Sequence, residues 1–118
     1  MEKKKICGCG LSAFDTHHRL DILQNQIKGL EELIKENVDV EYEYNNTLDT
    51  LWTIEQNLED MRYYCGVDID GIKNKLNLIE SALNEAIYQK KSEYLEPLPV
   101  SLQILKEDIA HLLRECLE

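Results

Sequence analysis

Residues 44–66 read YNNTLDTLWTIEQNLEDMRYYCG. Within them Tyr44, Leu48, Leu51, Leu58, Met61 and Cys65 recur in a frame of threes and fours, with Ile54 or Glu55 at the one missing position. That spacing draws a single apolar stripe along an α-helix and is the seam of helices packed side by side. Trp52 lies beside the stripe and is placed to widen it. Gly66 stands where a left-handed C-terminal cap is expected, which ends the helix. Asp68 or Asp70 can then cap the next one.

The same pattern extends outward in both directions. Upstream, Leu20, Leu23, Ile27, Leu30 and Ile34 are spaced 3, 4, 3 and 4, behind Asp15 or Thr16 as N-cap. Gly29 interrupts this helix at a cost of about 1 kcal/mol relative to Ala, and either admits a close backbone or is simply tolerated. Downstream, Ile69, Ile72, Leu76, Ile79, Leu83 and Ala86-Ile87 repeat the spacing. Pro97 and Pro99 then break it, and Pro99 suits the first turn of a helix carrying Leu102, Leu105, Ile109, Leu112, Leu113 and Cys116. Residues 38–44, Val-Asp-Val-Glu-Tyr-Glu-Tyr, alternate as a half-buried strand would. No second segment alternates, so a turn or irregular helix start is expected, with Asn45-Asn46 as a cap, and pairing between two copies is the alternative.

The expected fold is therefore all-α. It is an antiparallel bundle of three long heptad-patterned helices plus a shorter C-terminal helix packed at one end. Residues 1–13 are basic, then Gly/Cys-rich, and are read as a flexible tail; residues 14–118 form the single domain. Narrow heptad seams commonly associate with copies of themselves, so a homo-oligomer is expected.

Charge is distributed unevenly over the 118 residues. The net charge is −10, of which residues 31–61 carry −9, and no Lys or Arg occurs from Glu36 to Met61. Phosphate binding needs positive charge, so direct nucleic-acid binding is disfavoured and a basic protein partner is favoured. On a helix, carboxylates three or four apart lie about 5–6 Å from one another, comparable to the charge spacing along a nucleic-acid strand. Glu41, Glu43, Asp49, Glu55, Glu59 and Asp60 are thus candidate partner-binding residues. The alternative is a solvated face that keeps the chain soluble. Tyr42, Tyr63 and Tyr64 are either rim residues of the core or part of a partner site.

Cys7-Gly8-Cys9-Gly10 places two thiols one residue apart on a permissive backbone. With His17 they are the candidate metal ligands, zinc being the ion, although zinc pairs are usually two to four residues apart. The other reading is a tail with incidental cysteines and no cofactor. His17 and Asp21 share a helix face and can bind a metal or relay a proton, or stand solvated in the first turn.

Arg19-Leu20 and Gln26-Ile27-Lys28-Gly29-Leu30-Glu31 are similar to the first helix of small helical copper-sensing repressors, over residues 17–34. That family opens its second helix with Cys and continues to His-x-x-Cys. Neither occurs after residue 35, and membership is not inferred.

Phosphate-binding loops, Gly-x-Ser-x-Gly, His-Glu-x-x-His and Cys-x-x-Cys are all missing, so no enzyme activity is expected. No secretion signal or membrane span is read, which points to the cytoplasm and reduced thiols. The function expected is a non-enzymatic helical adaptor or scaffold. The alternatives are an acidic inhibitor of the mobile-element or phage type, blocking a basic groove of a nucleic-acid-binding or defence protein, and a zinc-binding regulatory module.

Overall fold

Apolar residues at intervals of three and four can be buried only against other helices, and four such stripes close on one another here. The computed structural model describes the backbone of residues 7–117 and the side chains of residues 11–114. Helix α1 spans Cys7–Lys35, α2 Glu41–Cys65, α3 Asp70–Gln89 and α4 Leu98–Leu117, with a short 3-10 turn at Ser92–Leu95. The described residues contain no strand. The principal extents are 57 × 22 × 18 Å, a rod of side-by-side helices.

Side-chain bonds between helices fix their directions. Asn57 donates to Asp15 at 2.7 Å and Gln26 reaches the Asn46 carbonyl at 3.5 Å, so α1 and α2 run antiparallel. Lys73 donates to Glu59 at 2.7 Å and Tyr44 donates to Asn84, which sets α3 antiparallel to α2. Lys75 meets Asp108 at 2.9 Å across α3 and α4. Lys106 pairs with Asp21, and Gln24 donates to the Pro99 carbonyl at 3.4 Å, which closes the ring between α4 and α1. The C-terminal helix is shorter than α1 and α2, as expected. It nevertheless equals α3 at 20 residues and runs alongside α1 instead of packing at one end.

The seams lie close to their expected frames, with two differences. Helix α1 begins at Cys7, so residues 7–13 are helical and not an aperiodic tail. Its buried stripe is Ala13, Thr16, Leu20, Leu23, Ile27 and Leu30, an unbroken 3-4-3-4-3 series. In α2 the buried stripe is Thr47, Thr50, Leu51, Ile54, Leu58 and Met61. Tyr44 and Leu48 are only half-buried, Cys65 and Trp52 are exposed, and Ile54 takes the seam position beside a half-buried Glu55. Threonine can serve in a seam because each hydroxyl donates to the carbonyl four residues back. Thr16 donates to Ser12 at 2.7 Å, Thr47 to Glu43 at 2.7 Å and Thr50 to Asn46 at 3.2 Å. Small side chains suit a close approach of helices, and α1 and α2 share the most extensive contact in the bundle.

Helix ends follow local chemistry. Gly66 adopts φ 67° and caps α2 through its N–H, as the sequence predicts. Asp39 and Asp68 accept from the N–H two residues on, each at 3.1 Å, and so serve the starts of α2 and α3. Asn45 and Asn46 lie inside α2, which begins at Glu41, so the alternating stretch is a turn that runs into a helix. Asp15 and Thr16 are also interior and do not cap α1. Gly29 is exposed and nothing stands within 4 Å of where a Cβ would be, so no backbone approaches it.

Candidate functional site

Helix geometry separates the six acidic candidates of α2. Glu59 is engaged: it accepts from Lys73 at 2.7 Å and from Arg62 at 2.5 Å. These hydrogen bonds, Lys73 first, hold its carboxyl below the usual range. Glu55, one turn earlier, is half-buried and moves the other way. Burial pushes its carboxyl up, with the nearby charge of Glu80 adding to the effect. Asp49 is exposed and Asp60 half-exposed, eleven residues apart and hence on one face of α2. Asp60 accepts from Gln56 at 3.2 Å. Glu43 is half-buried, and Glu41 is exposed at the start of the helix. A continuous six-carboxylate surface is therefore not formed. Asp49 and Asp60 share the outer face, while Glu41 stands with Glu36 and Asp39 around the α1–α2 turn.

That turn closes one end of the bundle, and a cavity of about 460 Å³ opens there. Ile34, Val38, Val40, Tyr44 and Ile87 supply its apolar lining, and Asn37, Asp39, Glu41 and Lys90 its polar lining. Asn37 and Lys90 both adopt left-handed backbone, at φ 61° and 57°, because each closes the C-terminus of a helix. The Tyr44 hydroxyl donates to Asn84, and burial raises the phenol above its ordinary range.

The opposite end, where α1 begins and α2 finishes, has different chemistry. Leu11 is 73% exposed and Phe14 66%, on the side of α1 away from the buried Ala13 and Thr16. Tyr63 and Tyr64, in the last turn of α2, are 81% and 73% exposed and meet edge to face at 4.8 Å between ring centres. The sequence pattern leaves out Leu11 and Phe14 because the periodic stretch is read as beginning after them, behind Asp15 or Thr16 as cap. Their spacing of three, opposite Ala13 and Thr16, was the available signal.

Among the metal candidates, the side chains of Cys7 and Cys9 lie outside those described. His17 is half-buried, and the Asp21 carboxylate four residues on is taken by Lys106, which lowers its pKa. Among the described residues no three His, Cys, Asp or Glu side chains gather to hold a metal. No helix among them is long and apolar enough to cross a membrane. A third surface, between α3 and α4, is a groove of about 200 Å³ lined by Lys75, Leu78, Ile79, Leu98, Ser101 and Ile104. Compared with protein-family models, curated proteins and solved structures, the chain matches none.

Proposed function

We propose that the chain is a non-enzymatic helical module of the cytoplasm that associates with copies of itself and holds a protein partner. The observation that carries this reading is the apolar end of the bundle. Leu11, Phe14, Tyr63 and Tyr64 stay in water although the core is closed without them. The four lie towards the same end of the bundle, two of them as tyrosines in ring contact, and exposed aromatic and apolar side chains of this kind are common in protein interfaces. Sedimentation of the full chain from low micromolar to submillimolar concentration tests it. A dimer or larger species that dissociates on dilution is expected. A monomer throughout removes self-association from the proposal.

A second reading is favoured by a separate observation. Glu36, Asp39, Glu41 and Asp49 are exposed and take part in none of the ion pairs seen among the described residues. They support an acidic inhibitor, of the kind mobile elements carry, seated in the basic groove of a nucleic-acid-binding protein. Such binding weakens steeply with salt. Replacing Glu41, Asp49 and Asp60 by their amides abolishes it on this reading, with Glu59 spared because Lys73 and Arg62 already engage it. Inhibition that survives the triple replacement ends the reading.

A further inference from the structure

We infer that the cavity at the α1–α2 turn receives a lysine side chain of a protein partner. The inference rests on the reading of a basic partner and names where on this chain that partner is held. Three features converge. Ile34, Val40 and Ile87, with the ring of Tyr44, make an apolar wall suited to the methylene stem of lysine, whose charged head stays near water. Asp39 and Glu41 stand on the rim, and Glu36 is exposed beside the turn. Two helix C-termini, those of α1 and α3, end at this cavity, against a single N-terminus, that of α2. Helix C-termini carry partial negative charge, so the backbone favours a cation as the carboxylates do. Among the lining residues Lys90 opposes Asp39 and Glu41 with one positive charge, which leaves a balance of one negative charge; Glu36, Lys35 and Lys91 stand just outside the lining. The volume, about 460 Å³, lies within the range of sites that take small groups in a concave pocket. The α3–α4 groove has no comparable charge on its rim, since Lys75 there is already paired with Asp108.

The test titrates Nα-acetyl-lysine methylamide into the full chain and follows the methyl resonances of Val38, Val40 and Ile87. Its norleucine counterpart, with the same stem and no charge, and 1,5-diaminopentane, a free amine, are titrated in parallel. Saturable shifts with the lysine compound, and binding several-fold weaker for norleucine, are expected. Asp39→Asn keeps an acceptor for the Glu41 N–H and removes charge; combined with Glu41→Gln it should weaken lysine binding about fivefold, the scale of one close ionic contact near water. Lys90→Asn, which suits left-handed backbone, should strengthen it about threefold by the same Coulombic argument. Equal binding of lysine and norleucine, or no shift with the lysine compound, overturns the inference. Diamine binding tenfold tighter than the lysine compound also overturns it, because the occupant is then a free small amine. Amides at Asp49 and Asp60 lie outside the cavity and leave lysine binding unchanged, so failure of this site and failure of the acidic-inhibitor reading are separable.

Discussion

The two ends of the bundle expose apolar side chains in different settings. At the α1–α2 turn, half-buried aliphatic side chains line a cavity rimmed by Asp39, Glu41 and Lys90. At the other end, Leu11, Phe14, Tyr63 and Tyr64 present apolar surface on top of a sealed core. A charged concave site selects by sign and is screened by salt, whereas an apolar convex one selects by area and is strengthened by salting-out ions. On the proposed reading, the two contacts do not compete for the same residues.

The largest effect that sharpens this contrast concerns packing. Met61 is fully buried below the aromatic end, and Met61→Ala should cost about 2–5 kcal/mol in urea unfolding. Ile87→Ala at the cavity removes a half-buried side chain and should cost clearly less. Equal losses would show that the cavity wall is as tightly packed as the core, and the contrast would fail. Next in size is association. Phe14→Ser with Tyr63→Ser should raise the dissociation constant of the proposed oligomer tenfold or more in sedimentation equilibrium, which corresponds to about 1.4 kcal/mol. Monomer stability should change little, because both side chains are exposed. Asp39→Asn with Glu41→Gln should leave association unaltered. If the turn variants dissociate the oligomer instead, the assignment of the ends is reversed.

Two glycines give a smaller pair of effects. Gly66→Ala places a side chain at φ 67° at the close of α2 and should destabilise by about 1–2 kcal/mol in thermal unfolding. Gly29→Ala sits in an open position inside α1 and should stabilise by about 0.5–1 kcal/mol. The smallest effect is the pH response of Glu55 and Glu59. The carboxyl of Glu59 is lowered on folding, so its contribution is present above the unfolded value near 4.5 and is lost as pH falls through the folded one. The carboxyl of Glu55 is raised, so its charge costs stability at neutral pH and the cost disappears as pH falls through that raised value. Glu55→Gln should thus raise the melting temperature slightly at pH 7, and Glu59→Gln should lower it. A rise with Glu59→Gln would contradict the pairing of Glu59 with Lys73, and a fall with Glu55→Gln would contradict the burial cost of Glu55.

The seams of Leu20–Leu30 and of Ile69–Ala86 were legible because Leu and Ile announce a stripe by themselves. The Thr47–Met61 seam was half legible. Threonine reads as a surface residue until its hydroxyl is seen to bond its own helix, which is why Tyr44 and Leu48 stood in for Thr47 and Thr50. Ala13 and Thr16 hid the start of α1 for the same reason, behind glycines that weaken a helix but do not forbid it. The six acidic candidates were legible as charge, not as a surface. Lys73 follows Glu59 by 14 positions, beyond the reach of any local pattern.

Periodicity and turn chemistry were enough for four helices, their class and the stop at Gly66, because these depend on neighbours one turn apart. The cavity, the partner of Glu59 and the exposure of Leu11, Phe14 and Tyr64 arose only when the helices met. Residues 34, 37–41, 44, 87 and 90 line one cavity, although no local rule links helix α3 to the α1–α2 turn. Whether a side chain ends in water, against a core or beside an opposite charge is settled by which helix lies next to it, and that choice belongs to packing.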